Sequence, residues 1–457
     1  LLDFIQSINN VLWGVPSLVL LLGTGVFLTI VLKGVQFHKL IYAFRLAFTK
    51  EKATEKEEQE GDISNFKTLM TMLTATIGNG NIAGVATALT LGGPGAIFWM
   101  WIVGLLGMAT KYSEALLAVK FRIKNKYGEY SGGPMYYIEK GLGKKWMPLA
   151  LAFALFGAFA ALGIGNSVQS NTIADVMDQS FFVPNWITGA LLVLLTALII
   201  FGGIQRISKV ASFFVPIMSV LYIFGAMLII IIHYDQILPA FGLIFQYAFS
   251  PLSAVGGFTG IAVTQAVQSG VARGIFSNEA GLGTAALVAG NARTDSPVKQ
   301  ALVAMTGTFI VTIIVCSMTA IVLIVTGFWD PTGGLYSGVS HNASLDGGAL
   351  TSAAFGETLG IFGQYIVAFS VIFFGFSTIV GWYVYGEKCF EYLTNFRLLN
   401  TYRFIYLTAT FLGTVANLEL VWAFADMANA LMMIPNLLAL LLLYKIIREE
   451  TQKFFLY

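Results

Sequence analysis

The stretch TIGNGNIAG, Thr76 to Gly84, interrupts what otherwise reads as a membrane-spanning helix. Gly and Asn are poor helix formers, and they alternate here through Gly78, Asn79, Gly80 and Asn81. Unwound backbone exposed to lipid leaves N–H and C=O groups without partners, at several kcal/mol each. Such a segment is tolerated where it is buried in protein or lines a polar cavity. The chain is therefore read as built around this point.

The surrounding composition supports a membrane setting. Of 457 residues, 57% are hydrophobic and 11% charged, against roughly 25% charged in soluble domains. No polar block is large enough for a second domain, so residues 1–457 read as one membrane domain. The net charge of +2 gives no reason to expect a nucleic-acid partner. Cys316 and Cys389 sit in or beside apolar runs and read as free thiols. His38, His233 and His341 fall at span ends or in loops, which argues against an intramembrane enzyme. No GxxxxGK[ST] motif for ATP is present.

Apolar runs of about 20 residues mark candidate spans. Eleven are found, near 11–32, 64–91, 96–119, 148–175, 186–204, 208–232, 251–289, 298–327, 358–390, 402–418 and 420–446. A shorter run at 237–250 is expected to lie along the outer face. When the connections are alternated from an outside N-terminus, every one of the 26 basic residues except Arg273 falls on the cytoplasmic side. Lys and Arg concentrate in cytoplasmic loops, so the N-terminus is expected outside and the C-terminus in the cytoplasm.

Two spans carry residues that disfavour a continuous helix. The second, NFKTLMTMLTATIGNGNIAGVATALTLGG, is expected to break at Gly78 to Asn81, and the seventh at Gln268-Ser269-Gly270. Four spans separate them, so each opens a set of five, and the second set enters the membrane from the opposite side. Broken helices in matching positions of inverted halves point to a transporter's central site. The expected organisation is a peripheral N-terminal helix and cytoplasmic loop over 1–63, a first repeat over 64–232 and a second over 251–448.

Half-helix ends give the break its chemistry. Free carbonyls near Thr74 to Ile77 attract a cation, and free N–H groups near Asn79, Gly80 and Asn81 attract a carboxylate. Carbonyls expected near Gln268 to Gly270 would receive an ammonium. Together these describe a zwitterion, bordered by Thr76, Gly78, Asn79, Gly80, Gln268, Ser269 and Gly270. Gln169 in the third core helix is a further candidate, and Phe276 and Phe373 could wall the side-chain end. The density of glycine suggests a small cavity suited to alanine or glycine.

LGGPGAIFWMWIVGLLGM at 91–108, the GNGNIAG run and ARGIFSNEAGLGTAA at 272–286 resemble the alanine or glycine:cation symporters, also called sodium:alanine symporters. The resemblance extends over nearly the whole chain. It implies an all-α LeuT-type fold, two inverted five-helix repeats with discontinuous first helices, and alternating access. It also implies sodium-coupled import of a small neutral amino acid across the cell membrane. In LeuT-type symporters one sodium ion sits between the unwound first core helix and the eighth. The resemblance places it on Ser377 and Thr378, the carbonyl of Phe374 one turn earlier, and the carbonyls of Thr74 and Ile77. Oxygens suit a small hard cation. The alternative is that both hydroxyls bond to their own helix. Span 298–327 has no Asn to match a second sodium site, so one ion is expected and no organic cofactor.

Ionisable residues within spans suggest function. Arg273 and Glu279 are expected near the inner mouth as gate or structural ion pairs. Asp426 is the best residue for a proton-coupled alternative. Glu114 beside Lys111 is expected to mark a helix end at the cytoplasmic surface.

Overall fold

A computed structural model describes residues 2–49, 60–125, 128–249, 259–328, 347–416 and 418–455. The first eight residues of the expected seventh span, 251–258, lie outside the described residues. Helices dominate throughout, and among the described residues six helical stretches are long and apolar enough to cross a membrane. Val15–Val31, Asn185–Ile200, Leu399–Val415 and Leu418–Leu442 follow expected runs within a few residues. Gly203–Ile232 begins five residues earlier than the hydropathy suggested, at Gly203, whose φ of 65° suits glycine.

Burial separates core from lipid-facing helices. Within its apolar window Gly95–Lys120 is 83% buried, whereas Gly203–Ile232 is 33% buried. The first is a core element despite carrying Lys111 and Glu114, and the second turns most of its apolar surface outward. Ile237–Phe249 packs on the start of Gly95–Lys120, where Trp99 donates to the carbonyl of Ala248 at 3.2 Å.

Four helical runs are interrupted, two by non-helical backbone and two by π segments. The second expected span divides into Asn65–Thr76 and Ala83–Gly92. Ser64 caps the first half by accepting from the Lys67 N–H at 3.4 Å. Met147–Leu162 joins Val168–Phe181 through a wide π turn over Gly163–Ser167. A second π segment, Phe309–Cys316, joins Pro297–Thr308 to Ser317–Val325. Such insertions often accompany functional sites. The seventh divides into Thr259–Asn278 and Thr284–Ala289.

Ile361–Thr394 crosses directly over the first interruption. Gly381 makes the approach possible, since a Cβ there would lie 2.7 Å from the backbone nitrogen of Ala75.

On the side that carries the basic loops, the two interrupted helices are stitched together. Ile63 and Ala292 form an isolated parallel bridge. Arg293 N–H donates to Ile63 O at 2.7 Å, Asp62 N–H to Asn291 O at 2.9 Å, and Thr294 N–H to Glu60 O at 3.1 Å. A short hairpin, Ile123–Lys124 with Tyr130–Ser131, closes over this seam. Arg122 fastens it by donating to Ala292 O at 2.8 Å and Glu60 O at 3.0 Å.

Candidate functional site

The first half-helix ends where Ile77 N–H donates to Leu73 O at 2.7 Å and Ile77 leaves helical geometry. Gly78 is extended, and Asn79–Asn81 form a single 3-10 turn before the second half-helix starts. Glycine is required twice by close approach. A Cβ at Gly78 would meet Thr378 Oγ1 at 2.5 Å, and one at Gly80 would meet Phe276 Cδ1 at 2.5 Å.

The two asparagines of the break have opposite situations. Asn81 is fully committed: its Nδ2 donates to Thr76 O at 2.9 Å and Gly78 O at 3.2 Å. Its Oδ1 accepts from Ser277 Oγ and, at 3.3 Å, from Cys316 Sγ, while its carbonyl accepts from Thr319 Oγ1 at 2.8 Å. It substitutes for the helix hydrogen bonds that the break gives up. Asn79 is buried, yet neither Nδ2 nor Oδ1 has a partner. Buried polar groups are rarely left so, and an orphaned amide inside an unwound segment has the character of a ligand group.

Gln169 reaches the same point. Its Nε2 folds back onto the Ile164 carbonyl freed by the π turn, at 3.2 Å, and its Oε1 accepts from Asn79 N–H at 3.4 Å. Thr378 Oγ1 approaches the carbonyl of Ala75 at 3.4 Å, between the expected carbonyls of Thr74 and Ile77. Ser377 donates to Phe374 O at 2.9 Å, a bond within its own helix that also aligns those two oxygens. The Thr74 hydroxyl bonds back to Met70 O at 2.7 Å and that of Thr76 to Met72 O at 3.1 Å. The structure thus gathers Thr74, Thr76, Ile77, Gly78, Asn79, Gly80, Gln169, Phe276, Phe374, Ser377 and Thr378 around one break.

Three other expectations need correction. The seventh helix runs unbroken through Gln268, Ser269 and Gly270 and opens instead at 279–283. Gly270 is small because the chain of Gly95–Lys120 passes against it at Ala96 and Trp99, a packing role that fits a continuous helix. Ser269 lies beside Gly92 in the same seam, and Gln268 lines a separate cavity. Phe373 does not wall the break: it stacks on Phe369 and tilts against Phe214. A step of one helical residue turns it about 100° from Phe374.

The third correction concerns Lys111 and Glu114, which are buried at the second break, inside a helix that continues to Lys120. Glu279, Gly281 and Gly283 there have φ of 58°, 92° and 77°. Lys111 Nζ donates to Asn278 O at 2.7 Å, at the carbonyl end of the first half-helix. Glu114 Oε1 accepts from Gly281 N–H and Gly283 N–H, each at 3.0 Å, at the start of the next. A cation at the carbonyl end and an anion at the N–H end both oppose the helix dipoles. Asn436 donates to Glu114 at 2.7 Å and to Gly281 O at 2.8 Å, and Thr284 Oγ1 donates to Glu279 at 2.7 Å. The chain itself fills this break with an ammonium and a carboxylate. Arg273 faces the cavity of Gln268 with Asp426 and holds its guanidinium 5.2 Å from the Trp422 ring.

Sequence reasoning overlooked Lys111, Glu114 and Asn436 as site builders. The signal available was polarity inside apolar runs, as with Asn436 in MMIPNLLALL.

Residues 1–456 match the model of the sodium:alanine symporter family. The sodium/alanine symporter AgcS of Methanococcus maripaludis is 48% identical over 458 residues, covering 99% of this chain and 98% of that protein. The probable sodium/glutamine symporter GlnT of Bacillus subtilis is 38% identical, covering 96% of this chain and 87% of its own. Among solved structures, MhsT in complex with L-phenylalanine superimposes with a TM-score of 0.61 at 15% identity, over 84% of this chain and 89% of that one. The last likeness concerns the fold alone.

Proposed function

The chain belongs to the sodium:alanine symporter family and is a sodium-coupled amino-acid transporter of the membrane, not an enzyme; from that premise we propose that it imports alanine or glycine with one sodium ion by alternating access. The observation that carries the reading is the Asn79 amide, buried without partners inside an unwound helix and adjoining Gln169. The substrate carboxylate takes N–H groups of the break together with the Asn79 amide nitrogen. Its ammonium takes the acceptors Gln169 Oε1 and Asn79 Oδ1. Phe276 against Gly80 limits the room for a side chain, which favours alanine or glycine over glutamine.

Sodium belongs where Thr378 meets the end of the first half-helix. The hydroxyls of Ser377 and Thr378 and the carbonyls of Phe374, Thr74 and Ile77 supply oxygens, joined by that of Ala75. The proposed framework is a peripheral N-terminal span followed by two inverted sets of five, 64–232 and 251–448, in a single transport domain over 1–457. The basic loops set the orientation, with the N-terminus outside and the C-terminus in the cytoplasm. The stitched seam at 60–63 and 291–294 then lies on the cytoplasmic side and closes the inner path.

The test is uptake of radiolabelled alanine into proteoliposomes, with glycine and glutamine as competitors and with sodium or proton gradients imposed separately. Uptake driven by sodium and lost in the Ser377→Ala/Thr378→Ala variant is expected. Uptake that ignores sodium and follows the pH gradient, or sodium dependence that survives the double substitution, would overturn the cation assignment.

A further inference from the structure

A groove of about 580 Å³ opens where the end of Val15–Val31 meets the C-terminal helix Tyr444–Phe455, on the face that carries the basic loops. Lys33 and Gly34 follow the first helix with φ of 53° and 66°, and the short helix Val35–His38 comes next. The C-terminal helix is two-sided: Ile447 and Thr451 are buried, whereas Arg448 and Gln452 are exposed. It is fixed to Gly95–Lys120 by the Tyr112 hydroxyl at 2.9 Å from Thr451 Oγ1 and by Lys120 Nζ donating to Glu450 at 2.9 Å. The rings of Phe27 and Tyr444, 5.2 Å apart, join it to the N-terminal segment.

The charges in this groove have one sign. Lys33, Lys39 and Arg448 line it, and among the described residues no Asp or Glu does. None of the three forms an ion pair among the described residues, and the nearby Glu450 is spent on Lys120 and Lys453. Lys39 instead lies over the Phe455 ring, its Nζ 4.8 Å from the centroid. Like charges held together without a counter-ion repel one another, and a bound anion offsets that cost. The rest of the wall is apolar, with Val31, Leu32 and Val35 lining it. Ile30, Phe37 and Ile41 beside it are each more than half exposed. A free anion makes no use of such a wall, whereas a lipid uses both parts.

We propose that this groove binds the headgroup of one anionic phospholipid from the leaflet on that side. The phosphodiester takes Lys33, Lys39 and Arg448, whose guanidinium can contact two phosphate oxygens at once. An acyl chain follows Val31 and Ile30 along the helix into the hydrocarbon. Basic pockets between helices at this depth suit such headgroups, and the volume lies within the range of small-ligand sites. Lys33 holds its charge here in a left-handed conformation that glycine adopts more readily. The lipid bridges the two ends of the chain, because two of its cations belong to the N-terminal segment and the third to the C-terminal helix. The proposal rests on no transported substrate.

The experiment counts bound lipid. Delipidated full-length protein in a non-ionic detergent is titrated with dioleoyl phosphatidylglycerol and, separately, with dioleoyl phosphatidylcholine, and read by native mass spectrometry. One phosphatidylglycerol per chain, bound well ahead of phosphatidylcholine, is expected. Lys39→Gln/Arg448→Gln should weaken it about 30-fold. Lys144→Gln/Lys145→Gln removes the same charge from exposed lysines outside the groove and should leave it unchanged. Lys33→Gly removes the third cation while relaxing the backbone, so it should weaken lipid binding without melting earlier. That variant keeps the test decisive if the groove pair folds poorly. Equal binding of the two lipids, or equal losses in the groove and control pairs, overturns the site. Inorganic phosphate that displaces phosphatidylglycerol at equal concentration overturns the lipid as its occupant. No arm reads alanine binding, so failure here leaves the transport reading untouched.

Discussion

Asn79 and Asn81 are two residues apart in one break, and their side chains predict opposite phenotypes. Replacing Asn81 by Ala removes the donor that satisfies Thr76 O and Gly78 O and the acceptor for Ser277. An unsatisfied buried group costs about 1–3 kcal/mol, but side-chain hydrogen bonds within membranes average only about 0.6 kcal/mol. Gly78 O keeps the main-chain N–H of residue 81 at 3.1 Å and Ser277 Oγ keeps Cys316 Sγ at 3.0 Å, so Thr76 O is the group left bare, and the expected loss is about 1–3 kcal/mol. Replacing Asn79 by Ala removes no hydrogen bond made by its side chain. Stability should change by less than about 0.5 kcal/mol or rise slightly, since a buried amide without partners is itself unfavourable. Ligand affinity should fall instead, because a hydrogen bond to a charged group contributes about 1.5–3 kcal/mol, or roughly 10- to 100-fold. Thermal melting followed by fluorescence-detected chromatography measures the first quantity, and sodium-dependent alanine binding the second. If Asn79→Ala melts as early as Asn81→Ala and binds alanine normally, the division of labour argued here is wrong.

Other substitutions probe the supporting structure. Lys111→Met leaves Glu114 and Glu279 buried without their cation, and should destabilise by about 3–5 kcal/mol. Adding Glu114→Gln should recover part of that loss in a double-mutant cycle read by thermal melting. Gly381→Ala places a Cβ 2.7 Å from the Ala75 nitrogen, where backbone cannot yield, and overpacking of this kind costs about 1–3 kcal/mol. Sodium affinity should fall with it, because Thr378 lies one turn away on the same face; unchanged sodium affinity would separate the two. Arg122→Ala removes the fastening of Glu60 and Ala292. Faster amide exchange confined to 60–64 and 291–294 is expected, and unaltered protection there would show that the main-chain bridge suffices.

The first break was legible because GNGN states its case twice, in backbone preference and in side-chain polarity. The second was not, for the same physical rule gave two readings. Gly270 and Gly281 are both glycines in one apolar run, yet the former is small for a neighbouring helix and the latter for its left-handed φ. Only the packing partner distinguishes them, and Ala96 lies far away in sequence. Lys111 and Glu114 misled in a similar manner. Three residues apart, they resemble a solvated helix end, while the groups that hold them belong to residues 278–283 and 436. Thr378 was reached through the family resemblance, since its hydroxyl alone reads equally as bonded within its own helix, and Gln169 through its place in the third core helix. Phe373 was misplaced because its chemistry is the same as that of Phe374, and one step of helical rotation decides between them.

The second break has a consequence for how the molecule responds to its surroundings. Its ammonium and carboxylate are covalently part of the chain, so their local concentration is fixed by tethering and does not vary with either compartment. The segment at 278–284 is held by groups of the chain itself. The segment at 76–82 has no such resident, and its orphaned amide leaves it to whatever diffuses in. Two similar interruptions of the backbone therefore divide into a fixed reference and a detector. Any sensitivity of the protein's shape to external concentrations should enter through the detector.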